Sequence, residues 1–166
     1  MNELLLQWGL VSFMIGICLS LPLAAVHYEQ SPLWTRIFAN PRRLKSAHLD
    51  FFMQAFAAGF VYVLELASAS SFPMYVIVPL LYGTIGNPLI LLLESTAFFR
   101  TGGMSILYRF LKATSPACLL LSWVLIAVRF LPYYAAGFLI LFVVAGSLLI
   151  WSNLKKSKRE RGDGHG

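Results

Sequence analysis

The stretch Ala39–Phe56, ANPRRLKSAHLDFFMQAF, changes character halfway along. Arg42, Arg43 and Lys45 come first, then His48 and Asp50, and then apolar residues that continue with few interruptions to Ala67. Cations followed by a long apolar run mark a helix that starts at lipid headgroups and enters the bilayer. Ionisable groups are cheapest near the interface, and an aspartate in a first turn is favoured by the helix dipole. His48 and Asp50 thus enter the predicted span where burial costs least.

The rest of the chain repeats this logic. Of its 166 residues, 58% are hydrophobic and 12% charged, with mean hydropathy +0.73. Soluble domains carry roughly a quarter charged residues. Leu4–Val26, Pro73–Leu93 and Phe130–Ser152 hold no Asp, Glu, Lys or Arg. A hydrocarbon core about 30 Å thick takes about 20 apolar residues per helix. The pattern predicts an all-α fold, a polytopic membrane helical bundle.

The first segment has Glu3 and no cation before a long apolar run, so it reads as a retained span and not a secretory signal. Span one covers about residues 4–26, span two about 47–67 and span three about 73–97. Between the first two lies a polar connector holding Trp34. After span three, FFRTGGMSILYRFLK reads as a loop with an interfacial amphipathic piece, followed by an apolar run, Ala113–Val128, that is short for a span. Residues 1–131 are expected to form a transmembrane core of four helices, 132–153 a fifth, and 154–166 a basic disordered tail.

Arg36, Arg42, Arg43 and Lys45 lie in the first loop, Arg100, Arg109 and Lys112 in the third, and KKSKRERGDGHG ends the chain. Five spans put all three groups on the cytoplasmic side with the N-terminus outside; four would set the tail against the loops. The net charge of +6 comes largely from this tail and the RRLK loop, so the expected partner is the lipid bilayer and not nucleic acid. The expected location is the bacterial inner (cell) membrane. Cys18 and Cys118 sit in apolar runs without C-x-x-C spacing and read as buried small hydrophobes.

At 100° per residue, span two places Asp50, Gln54, Val61 and Glu65 in one arc. His48 falls nearly opposite, with Phe52, Ala55 and Gly59. A histidine above small residues suits a flat ligand, and equally suits close packing against another helix. Glu65 and Glu94 lie near span ends, where headgroups are in reach. Asn87 sits deep in span three, sharing a face with Gly83 and Glu94. That face forms either an interhelical hydrogen bond or a functional polar seam against span two. No P-loop, H-E-x-x-H, G-x-S-x-G or Cys/His zinc cluster is present. A single histidine suffices as the proximal ligand of a haem.

NPRRLKSAHLDFFMQAF resembles the NPR…SAHLEG signature of the hydroxylaminobenzene mutases and the AH…LNG segment of the styrene oxide isomerases. YGTIGNPL resembles the Gly…Asn helix that follows in both. The likeness covers roughly residues 1–131. It implies haem b held by His48 as the metal ligand, with Ala55 and Gly59 against the cofactor. The ferric iron would act as a Lewis acid in the intramolecular rearrangement of an epoxide or aryl hydroxylamine. It further implies Asn87, Gln54 and Asp50 as catalytic candidates, a small apolar or aromatic substrate, and a homo-oligomer, a trimer in the isomerases. The sequence departs from the isomerases where Gln54 replaces an asparagine, Gly83 an aspartate and Leu91 a tyrosine. Two other functions compete. One is a haem or electron-transfer subunit, with His27 or Met53 as second ligand. The other is a transporter or channel component, with Asp50, Gln54, Asn87 and Glu65 along a path.

Overall fold

The structure, a computed structural model, describes residues 2–96 and 102–162. Its elements are all helical: α1 (Glu3–His27), α2 (Pro32–Ile37), α3 (Pro41–Ser68), α4 (Met74–Ser95), α5 (Gly102–Phe130) and α6 (Tyr133–Gly162). Four of these helices, α1, α3, α4 and α5, are long and apolar enough to cross a membrane. The protein is an all-α polytopic membrane bundle. The chain divides into two compact units, Met1–Trp123 and Val124–Gly166.

Within the first unit, α1 and α3 approach closely because α1 presents small residues at helical spacing. The carbonyl of Ala55 lies 3.3 Å from where a side chain on Gly9 would begin, and the Phe52 ring 3.0 Å from the same point on Gly16. Between them, Ser12 Oγ donates to the Phe51 carbonyl at 2.9 Å inside the interface. Small residues are the usual means of bringing backbones together where lipid is as apolar as the core. A buried cluster of Leu19, Val26, Phe38, Leu44 and Phe51 continues this contact toward α2, which adds Trp34 and Ile37.

The start of α3 lies earlier than the sequence suggests. Asn40 caps it, accepting from the Arg43 amide at 3.2 Å, and Pro41 occupies the first turn, where its missing N–H costs nothing. The cations and His48 therefore belong to one continuous helix. The Asn40 amide donates to the Ser95 carbonyl at 3.0 Å, fastening the start of α3 to the end of α4. α3 ends on Ala69 in the left-handed region, φ 48, and α4 begins after Pro73.

α4 carries Pro79 and Pro88 within its length. Each removes a main-chain donor, a defect tolerated in a bundle when neighbouring groups cover the freed carbonyls. Its glycines receive α5. A side chain on Gly83 would begin 2.6 Å from Leu119 Cβ and 3.0 Å from Leu119 Cα, and one on Gly86 would collide with Ser115.

The expected interfacial piece is not separate. From Gly102 it continues without a break into the span as α5, because Ile106, Tyr108, Phe110 and Leu111 carry the apolar sequence onward with no proline before Pro116. Residues 97–101 of that expectation lie outside the described residues. In the second unit, the expected fifth span falls on α6, whose apolar part, Tyr133–Leu149, is shorter than the other four spans. Pro132 separates it from α5, since the residue before a proline disfavours helical geometry. The backbone of α6 continues to Gly162, where the sequence reading places a disordered tail from residue 154. Lys, Arg and Glu are good helix formers, so this basic stretch extends the helix without apolar support. Residues 163–166 lie outside the described residues.

Gly83→Ala is expected to destabilise the bundle by about 1–3 kcal/mol through overpacking against Leu119. Gly103→Ala, with nothing within 4 Å of its new methyl, should leave stability unchanged or slightly raised. Reversible unfolding in mixed micelles, followed by circular dichroism, measures both.

Candidate functional site around His48

α3 brings His48 to the level of Gly16 on α1. His48 Nδ1 lies 2.8 Å from the Gly16 carbonyl oxygen. A carbonyl only accepts, so Nδ1 carries the hydrogen and Nε2 carries the lone pair in the neutral ring. A carbonyl that holds one ring nitrogen fixes the tautomer and the orientation of the ring, leaving the other nitrogen as an acceptor. The Phe52 ring, one turn on, meets the imidazole edge to face at 4.9 Å. Phe52 in turn packs edge to face with Phe13 of α1 at 5.1 Å, and Phe13 meets Phe56 at 6.3 Å. His48, Phe52 and Phe56 thus form one aromatic row down α3, interlocked with α1.

The row leads into a shallow apolar groove of about 260 Å³ between α1 and α3, bordered by Gly9, Phe13, Ala55, Phe56 and Gly59. Gly59 has open space where a side chain would stand. Ala55 is 8% exposed and packs against Gly9. The small-residue face of α3 therefore divides: Ala55 serves helix packing, and Gly59 keeps the groove open.

The polar residues of the arc opposite His48 have separate neighbours. Gln54 Nε2 donates to Asp50 Oδ1 at 3.1 Å along α3, and both are half-buried. Glu65 is fully buried, contrary to the expectation that it reaches headgroups. Its Oε2 accepts from the Asn2 backbone N–H at 2.7 Å. Its Oε1 accepts from the Asn2 side-chain amide at 2.6 Å and from the Phe72 N–H at 2.7 Å. It ties the start of α1 to the α3–α4 turn, and charge-assisted bonds to orphan backbone donors are what make a buried carboxylate tolerable there.

Asn87 faces α5. Ser115 Oγ lies 2.8 Å from Asn87 Oδ1 and 3.3 Å from the Gly83 carbonyl, so this part of the polar seam is formed with α5 and not with α3. The reason is steric: only the glycine side of α4 lets a second backbone come close enough for a short serine to reach across. Tyr82 and Thr114 hydroxyls add a further bond between the same helices. Glu94, near the end of α4, joins the start of α3 to α5 at the basic side. Arg43 Nε is 3.1 Å from Glu94 Oε2, Tyr108 donates to Glu94 Oε1 at 2.8 Å, and Lys112 donates to the Tyr108 hydroxyl at 3.0 Å. Among the described residues no hydrogen bond joins Asn87 to His48, Asp50 or Gln54.

Several contributors escape the sequence reading. Gly16, Ser115, Tyr108 and Asn2 act through atoms that pattern alone does not single out: a main-chain carbonyl, a hydroxyl and an amide. The spacing of Gly9, Ser12 and Gly16 is the one legible signal. Cys18 is exposed on α1, where the sequence reading buries it; Cys118 is half-buried, and both are free thiols. Among the described residues no group of three or more His, Cys, Asp and Glu side chains gathers into a metal cage. No protein-family model, curated protein or solved structure matches this chain.

Removing the Glu65 carboxylate strands the amides of Asn2 and Phe72 in the interior. Glu65→Ala is expected to cost about 3 kcal/mol or more, and Glu65→Gln less, since one acceptor oxygen remains. Unfolding in mixed micelles checks the order of the two variants.

Proposed function

We propose that this protein is an integral membrane isomerase that holds haem b on His48 and rearranges an epoxide or an aryl hydroxylamine. The observation that carries the reading is the bond between His48 Nδ1 and the Gly16 carbonyl, which fixes Nδ1 as the N–H donor and, in the neutral ring, leaves the Nε2 lone pair for a ligand. Phe52 and Phe13 restrict rotation of the imidazole, so the donor atom keeps one direction. Gly59 and the adjoining apolar groove accept a flat apolar edge without a side chain in the way. His48 would supply the one protein ligand of such a haem.

When bound, ferric haem supplies an electron-pair acceptor for a substrate oxygen or nitrogen, and turnover requires no electron donor. The chain supplies orientation and hydrogen bonding. Ser115 donates to Asn87 Oδ1, and it is the resemblance that assigns the Asn87 amide to the substrate. Gln54 donates to Asp50, which holds the pair together along α3. Apolar walls favour a small apolar or aromatic substrate. The resemblance of the SAHLDFF segment to mutases and isomerases points to the same reaction class.

Protein produced with ample haem and purified in detergent is expected to show a ferric Soret band with one histidine ligand. His48→Ala should abolish or shift that band while the helical circular dichroism persists; His27→Ala should leave it intact. Absence of the band in the wild type sinks the proposal, and a spectrum with two strong axial ligands replaces the catalyst with a carrier. Asn87→Ala is expected to keep the Soret band and lower the rearrangement rate by on the order of 10²-fold, the usual loss for one preorganised donor.

A further inference from the structure

Along α1 and reaching α2 runs a second and larger apolar groove of about 680 Å³. Its walls include Leu10, Met14, Cys18 and Pro22, and Trp34 of α2 closes one end. Leu10, Met14 and Cys18 are exposed, so no other helix of the first unit covers them among the described residues. From Leu10 to Pro22 the helix rises about 18 Å at 1.5 Å per residue. Half of a hydrocarbon core about 30 Å thick is about 15 Å, so the groove has the depth of a single leaflet.

The end closed by Trp34 is the basic end. Trp34 and Leu19, which both line the groove, pack in the cluster that contains Leu44, and Leu44 lies between Arg43 and Lys45. Arg36 is on the same short helix as Trp34. Arg36, Arg42 and Lys45 are exposed; of the two carboxylates at this end, Glu94 is engaged with Arg43, and among the described residues no ion pair joins Glu29 to the other cations. A leaflet-deep apolar slot thus ends at an aromatic ring and a group of cations, Arg36, Arg42, Arg43 and Lys45, that outnumber the carboxylates Glu29 and Glu94. Trp rings favour the headgroup level, and cations there attract anionic headgroups.

We propose that this groove is a specific site for an anionic phospholipid. One acyl chain lies along α1 from Leu10 to Pro22 beneath Trp34, and the phosphate-bearing headgroup is held by Arg36, Arg42 and Lys45. Bulk lipid would cover the same apolar face without preference for headgroup charge; the cations make the site selective. The site is separate from His48 and does not depend on the proposed reaction.

The test uses the full chain with Trp8, Trp123 and Trp151 changed to Phe, leaving Trp34 as the sole indole. It is reconstituted in phosphatidylcholine vesicles containing the same small fraction of brominated-chain phosphatidylglycerol or brominated-chain phosphatidylcholine. Brominated phosphatidylglycerol is expected to quench Trp34 several-fold more strongly. The triple variant Arg36→Gln, Arg42→Gln and Lys45→Gln should reduce that ratio to one, and Met14→Trp, which fills the slot, should displace the lipid in native mass spectrometry of the otherwise wild-type chain. Equal quenching by the two lipids overturns the proposal, as does a preference that survives the triple variant. If the tryptophan-depleted chain does not fold, native mass spectrometry of the wild type against the triple variant decides: retained phosphatidylglycerol must fall, and equal retention overturns the site.

Discussion

The close approach of α1 and α3 is the constraint on which the rest depends. In lipid there is no hydrophobic gain from bringing two apolar helices together, so contact has to come from backbone proximity and polar bonds. Gly9, Ser12 and Gly16 give that proximity, with Ser12 donating to the Phe51 carbonyl at the centre. The same approach sets the Gly16 carbonyl 2.8 Å from His48. A bulkier residue at Gly16 would meet the Phe52 ring, so the small side chain that permits packing also positions the imidazole. Helix packing and the orientation of the imidazole are one feature here.

Most polar groups inside the bundle are committed to holding helix ends. Glu65 gathers the start of α1 and the α3–α4 turn, while Glu94 gathers Arg43, Tyr108 and, through it, Lys112. Both carboxylates lie where backbone donors or cations converge, which is why they survive in a membrane helix. Such commitments narrow what is left for chemistry. His48 retains Nε2.

α4 plays the complementary part. Its prolines interrupt its own hydrogen bonding, and its glycines let α5 pack close enough for Ser115 to reach both Gly83 and Asn87. The basic side of the first unit is organised differently, by the Asn40–Ser95 link and the exposed cations that follow it.

The sequence by itself determined that this chain is a bundle of membrane helices, because charge-free runs of about 20 residues have few other solutions. It also singled out His48 and Asn87, since a histidine above small residues and an amide deep in a span stand out against apolar surroundings. Only the tertiary structure decided what each one meets. Periodicity placed Asn87 and Glu94 on one face but did not say which helix covers that face, and the glycines of α4 admit α5 there. Hydropathy divided residues 98–128 into a loop and a short span, whereas from Gly102 onward they form one helix. Glu65 read as a surface group because its partners, the amides of Asn2 and Phe72, are distant in the chain and main-chain in kind. The Gly16 carbonyl was invisible for the same reason: every residue has one, and only the approach of two helices selects which carbonyl a histidine finds.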